Sequence, residues 1–148
     1  MCSSDLTVAP DLSKAADFVR VDRAPAIGET FAIRASVAYK STWVRRTRSF
    51  STNAAIAARF AALDEAFAKC LATIDAGAPV ARQIGAAFPG AKLVHWSLEA
   101  CVGSYPLEFI AGDEEAGDAR DAKGAGVLAV ELHVDSARWL AQGPIGCA

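Results

Sequence analysis

Apolar and polar residues alternate singly along residues 31–40. Phe31, Ile33, Ala35, Val37 and Tyr39 fall on one side, and Ala32, Arg34, Ser36, Ala38 and Lys40 on the other. A period of two predicts a half-buried strand. After the short link Lys40-Ser41-Thr42, the stretch from Trp43 to Phe50 reads as a second, antiparallel strand. The period then changes. Ile56, Phe60, Leu63, Phe67, Leu71 and Ile74 recur at intervals of four and three, which predicts a long helix with one apolar face. Thr52 or Asn53 serves as its N-cap, and Gly77 with Pro79 stops it. A second helix is expected from Pro79 to Phe88, with proline in its first turn and Pro89-Gly90 at its end. Further strands are expected over Lys92 to Val102, Leu107 to Ala111, Gly126 to Asp135 and Arg138 to Gln142. Gly112 to Gly124 is acidic and poor in apolar residues, an exposed loop. Residues 1–27 read as an irregular segment with a short helix over Ser13 to Arg20. This succession, with helices segregated from hairpin strands, predicts an α+β fold: a mostly antiparallel sheet with one long and one shorter helix on one face.

Composition bounds this picture. The 148 residues suit a single domain. Of the 53% that are hydrophobic, 33 residues are Ala, so the core must be built from a modest set of large side chains. No apolar run approaches the ~20 residues of a membrane span, and Met1 to Asp5 lacks the basic and apolar parts of a secretory signal. A soluble, cytoplasmic domain is expected. The net charge of -2 argues against nucleic acid as a partner. The cysteines Cys2, Cys70, Cys101 and Cys147 show none of the close pairing of a zinc site. Cys70 falls in an apolar helical pattern and Cys101 in a strand pattern, where buried free thiols are expected, whereas Cys2 and Cys147 are expected to be exposed and reduced.

Two polar groupings carry candidate chemistry. On the strand Val130 to Asp135, alternation puts Glu131, His133 and Asp135 on one face; on the strand from Leu93, His95, Ser97, Glu99 and Cys101 share a face. Brought together, His95, Glu131, His133 and Asp135 form a set able to hold a divalent zinc, manganese or cobalt ion, with Glu131 and His133 in the acid–base roles of a hydrolase. The plainer reading is a solvated sheet face. The basic hairpin, with Arg34, Arg45 and Arg48, is suited either to grip a carboxylate or phosphate or simply to carry surface charge. No GxGxxG, GxxxxGK[ST], GxSxG or HExxH motif is present.

The succession of segments resembles the C-terminal part of the creatinase, methionine aminopeptidase and Xaa-Pro aminopeptidase superfamily, the pita-bread fold. Ala26-Ile27-Gly28-Glu29-Thr30-Phe31-Ala32-Ile33-Arg34 is similar to that family's GD turn and the strand carrying its first metal-binding Asp. Val44-Arg45-Arg46-Thr47-Arg48-Ser49-Phe50 resembles its D-x-T-R-T-F strand. The helix from Ala54 to Ile74 with Asp75-Ala76-Gly77-Ala78-Pro79 resembles its long helix and KPG exit. Cys101 to Glu108 is similar to the segment around its metal-binding His, and Gly126-Val127-Leu128-Ala129-Val130-Glu131 to its GMVLTVEP strand. The resemblance runs from about Gly28 to Gly143 and covers about half of the family's catalytic domain.

The family holds two metal ions with two Asp, one His and two Glu. The resemblance puts Arg34 and Arg45 at the two Asp positions, Ala100 near the His, Glu131 at the first Glu and Asp135 near the last. A guanidinium repels a divalent cation rather than coordinating it. The resemblance therefore implies a metal-free, cofactor-free and catalytically degenerate half pita-bread domain. Arg34, Arg45 and Arg48 become its anion-pairing groups and Glu131 their internal counter-charge. It implies a small anionic ligand or a protein partner. Pairing of two copies is also expected, because a half domain leaves sheet edges and apolar faces uncovered. The alternative is a metal-dependent, peptidase-like hydrolase rebuilt on His95, Glu131, His133 and Asp135.

Overall fold

The computed structural model describes residues 2–101, 107–111 and 121–146, with the backbone alone at 2–3 and 107–111. The chain runs β1 (Cys2–Ala9), β2 (Val19–Arg20), a 3-10 turn (Val21–Arg23), β3 (Thr30–Tyr39), β4 (Thr42–Ser51), α1 (Ala54–Thr73), α2 (Val80–Ala87), β5 (Lys92–Ala100), β6 (Leu107–Ala111), β7 (Val127–Val134) and β8 (Ala137–Pro144). The strands form one eight-stranded sheet in the order β2-β1-β3-β4-β8-β7-β5-β6. Every pairing in it is antiparallel. The fold is α+β, as the periodicities predict.

Local chemistry accounts for the elements that were legible. Asn53 caps α1, its Oδ1 accepting from the backbone N–H of Ala55 at 3.0 Å and of Ile56 at 3.3 Å. Beyond α1 the chain turns at Asp75-Ala76-Gly77. Gln83 of α2 holds this turn, accepting from Asp75 N–H at 2.8 Å and donating to Asp75 C=O at 2.9 Å. The apolar faces of the helices meet one face of the sheet. Phe60, Phe67, Leu71, Val80 and Ile84 form a core with Trp96, Leu98, Leu128, Val130, Leu132 and Trp139. Cys70 is buried at its margin, and burial pushes its thiol pKa up. Phe67 meets Trp139 edge-on, with ring centroids 5.8 Å apart.

The N-terminal segment differs from expectation. Residues 2–9 form a full strand, paired with β3 from Cys2↔Tyr39 to Ala9↔Ala32. Ladder hydrogen bonds come from the backbone, so the weak side-chain pattern of Cys-Ser-Ser-Asp-Leu-Thr-Val-Ala hides the strand, and β3 would otherwise be an open edge. The expected helix over Ser13 to Arg20 is absent. Asp11 Oδ1 instead accepts from the N–H of Ser13 at 3.1 Å and from its hydroxyl at 2.6 Å, a local turn that competes with helix formation. The chain then runs without regular structure into β2. Residues 112–120 of the expected acidic loop, part of the expected strand end near Val102, and Cys147 lie outside the described residues. Among the described residues, no helix is long and apolar enough to cross a membrane.

Candidate ligand-binding cleft

A row of side chains crosses the sheet face opposite the helices. Register aligns Arg34 with Thr47, Thr47 with Gln142, Gln142 with Ala129 and Ala129 with Ser97, one residue from each of β3, β4, β8, β7 and β5. The next row on one side holds Ser36, Arg45, Val127 and Glu99; the next on the other holds Leu140, Glu131 and His95. Period two along each strand sends these side chains to the same face, away from the core. All of them except Ser36 and Val127 line a cleft of about 190 Å³. Ala16 and Phe18, from the segment before β2, close one side of it.

Within the cleft the polar groups form a connected chain. Arg34 Nε donates to Thr47 Oγ1 at 3.3 Å, and the Thr47 hydroxyl donates to Gln142 Oε1 at 3.0 Å. The Gln142 amide donates in turn to Glu99 Oε1 at 2.9 Å. Glu99 Oε1 also lies 3.3 Å from Arg45, whose Nε donates to Ser36 Oγ at 3.0 Å. The Arg34 guanidinium sits 3.7 Å from the centre of the Phe18 ring, a cation–π stack. Thr47, Gln142 and Glu99 are buried, so the hydrogen bonds among them satisfy groups shielded from water. The network fixes both guanidinium groups in position.

The residues singled out from sequence distribute unevenly. Arg34, Arg45, His95 and Glu131 all line the cleft. Arg48 does not. It lies three positions after Arg45 and so points to the helix face, where its Nε meets Asp64 Oδ2 of α1 at 2.8 Å. Glu131 is paired with Arg138 at 3.2 Å, while Glu99 is the carboxylate beside Arg45. Arg138 Nε also donates to His133 Nε2 at 3.4 Å. Asp135 does not share the face of Glu131 and His133. It occupies the β7–β8 turn at φ 54°, where strand alternation has ended, and pairs with Arg59 of α1. Among the described residues, no three His, Cys, Asp or Glu side chains converge as a group that could hold a metal ion.

Sequence reasoning missed Gln142, the hub of the network, and gave no role to Phe18. The signal for Gln142 was present. Arg138, Leu140 and Gln142 alternate with the buried Trp139 and Ala141, which places Gln142 on the polar face once β8 is known to be central. Nothing in the sequence near Phe18 announces that it meets Arg34.

No family model and no curated protein matches the sequence. Solved structures do match the fold. The chain is similar to methionine aminopeptidase from Thermotoga maritima, with a TM-score of 0.51, 11% identity, and coverage of 97% of this chain and 70% of that one. It is equally similar to methionine aminopeptidase from Rickettsia prowazekii, with a TM-score of 0.51, 11% identity, and coverage of 98% and 70%. The sheet with two helices on one face has the half pita-bread character expected, though the match spans more of the neighbour's chain than the half anticipated. The likeness is one of fold: this protein has a methionine-aminopeptidase-like α+β fold.

Proposed function

We propose that this protein is a non-hydrolytic, metal-free relative of the pita-bread peptidases that binds a small carboxylate-bearing molecule in the cleft. The observation that carries the reading is the fixing of two guanidinium groups, Arg34 and Arg45, on one face by the Thr47–Gln142–Glu99 network. Guanidinium groups pair with carboxylates through parallel N–H donors, and holding them in place removes much of the ordering cost of binding. The donor set supports the metal-free part. Glu131 and His133 both engage the Arg138 guanidinium, and Asp135 is turned towards Arg59, so a divalent ion at Glu131 and His133 would sit beside a fixed positive charge. A thermal-shift and calorimetric screen of small carboxylates, simple and amino-substituted, tests the reading. Binding that is lost in Arg34→Gln is expected. A stoichiometric zinc, manganese or cobalt ion in the purified, untagged protein overturns the metal-free part and revives a hydrolase at His95, Glu131 and His133.

Pairing of two copies belongs to the same proposal. Leu6, Val37 and Tyr39 are 48%, 42% and 55% exposed on the helix-side face of β1 and β3, while the helix-side core draws on β5, β7 and β8. That uncovered apolar face supports a dimer. A cytoplasmic protein of this kind is expected to sediment as a dimer at micromolar concentration, and a purely monomeric profile refutes the pairing.

A further inference from the structure

We infer that the sheet is jointed: β2-β1-β3-β4 and β8-β7-β5-β6 turn as two units about the Thr47–Gln142 pair, held shut on one face by Arg45–Glu99 and on the other by Arg48–Asp64. The joint is independent of what the cleft binds. β3 and β4 are laddered along their whole length, from Thr30↔Ser51 to Tyr39↔Thr42, and β7 and β8 likewise from Val127↔Pro144 to Val134↔Ala137. Between β4 and β8, by contrast, a single pair, Thr47↔Gln142, is in ladder register. Continued by two residues either way, that register sets Ser49 against Leu140 and Arg45 against Pro144. At the first position the Ser49 hydroxyl stands between the backbones, donating to Leu140 C=O and accepting from Leu140 N–H, both at 2.8 Å. At the second, proline has no N–H to offer. Further along β4, Trp43 N–H reaches across to Cys101 C=O at 3.0 Å, just past the end of β5.

Apolar packing divides along the same line. The larger core draws on α1, α2, β5, β7 and β8, and among the described residues none from β1 to β4 belongs to it. The smaller core joins Ala9, Leu12 and Ala32 of the first unit to Leu140 of the second. Two units that each bury their own apolar side chains can part without either unfolding.

Charge spans the line instead. β4 supplies a cation to each face of the sheet. Arg45 lies 3.3 Å from Glu99 of β5 on the cleft side, and Arg48 lies 2.8 Å from Asp64 of α1 on the helix side. Asp64 also accepts from the indole N–H of buried Trp139 on β8 at 3.1 Å, which anchors its carboxylate in the second unit. Pairs on opposite faces resist bending in either sense. They hold the joint weakly, because an ion pair within reach of water gains little over its solvated partners. The cleft straddles this joint. Arg34, Arg45 and Thr47 stand on one unit, and His95, Glu99 and Gln142 on the other, so a turn about Thr47–Gln142 widens or narrows it.

Native-state hydrogen exchange of the wild-type protein, read residue by residue at low urea concentrations, tests the joint. The N–H groups of Leu140 and Trp43 cross it on the two sides of the Thr47–Gln142 pair. They are expected to share one opening equilibrium, about tenfold or more easier than that of the slowest amides in the β3–β4 and β7–β8 ladders. Its urea slope is expected to lie between zero and that of global unfolding. Glu99→Gln and Asp64→Asn are each expected to speed exchange at both amides about tenfold relative to those ladders. If both amides exchange only with the slowest ladder amides, the sheet opens as one piece and the inference falls. It falls equally if neither amide shows a urea dependence, the mark of separate local fraying. The wild-type slopes decide the matter even where a variant fails to fold.

Discussion

Gln142 of β8 and Glu99 of β5 are joined across an intervening strand: the Gln142 amide donates to Glu99 Oε1 at 2.9 Å while its carbonyl accepts from Thr47. One buried carboxamide thus links the strand that bears Arg34's partner to the strand that bears Arg45's. Its two ends are used in opposite senses, as acceptor and as donor, which only an amide of this length can do without a change of charge. Gln142→Leu keeps the volume and removes both functions, leaving the Thr47 hydroxyl and Glu99 without these bonds in a buried setting. A loss of about 1–3 kcal/mol is expected from the urea midpoint, with the slope unchanged. A change within experimental error would mean that water replaces the amide.

Helix α1 and strand β8 approach closely at Gly143. A Cβ built there meets Leu71 Cδ1 at 2.7 Å and Phe67 Cε1 at 3.6 Å. Leu71 is buried, so it has little freedom to move aside. Gly143→Ala is expected to destabilise by about 1–3 kcal/mol through overpacking. Leu71→Ala in the same chain removes the clash, so the double variant is expected to lose less than the sum of the two single changes. Strict additivity in denaturant melts would contradict the geometry.

Asp11 gives the N-terminal segment a pH dependence. The Ser13 hydroxyl at 2.6 Å, then the Lys14 ammonium at 3.1 Å, hold its carboxyl below the ordinary carboxylate range. A depressed folded-state pKa means that the folded protein binds fewer protons than the unfolded chain in this window. The stabilisation is therefore full above about pH 4, the ordinary Asp value, and is lost as pH falls through the lowered one. Wild type is expected to exceed Asp11→Asn in stability at pH 7, and the gap to shrink as the pH falls below about 4. A gap that stays constant down to pH 3 would place its origin in packing instead, for instance against Gly28, where a built Cβ would meet the Asp11 carboxyl carbon at 2.6 Å.

Cys70 is expected to resist modification. Burial raises its thiol pKa, and the thiolate is the reactive species. Alkylation of the native protein at pH 8, mapped by peptide mass spectrometry, is expected to label Cys70 only when denaturant is added. Labelling at native rates comparable to those of an unfolded control would show that the packing around Cys70 opens readily.

Some of this protein is readable by eye. The period of two over residues 31–50 and the 3-4 spacing from Ile56 to Ile74 are local, and they produce β3, β4 and α1 within a residue or so of the observed bounds. Arg34 and Arg45 could be assigned to one face for the same reason, since cross-strand neighbours in a tight hairpin follow from the turn. Other features are not local. Arg48 separates from Arg45 because three residues along a strand reverse the face. Asp135 separates from Glu131 because a left-handed turn residue breaks the alternation that the sequence continues past it.

By itself, then, the sequence determined the hairpin, the helices and the two arginines, because side-chain periodicity is a property of neighbouring residues. Only the tertiary structure decided that β1 guards the edge of β3, that β8 lies between β4 and β7, and that Gln142, Glu99 and Phe18 meet the arginines. Strand order depends on which backbone edges and apolar faces find one another after the chain has closed. No window of adjacent residues contains that information.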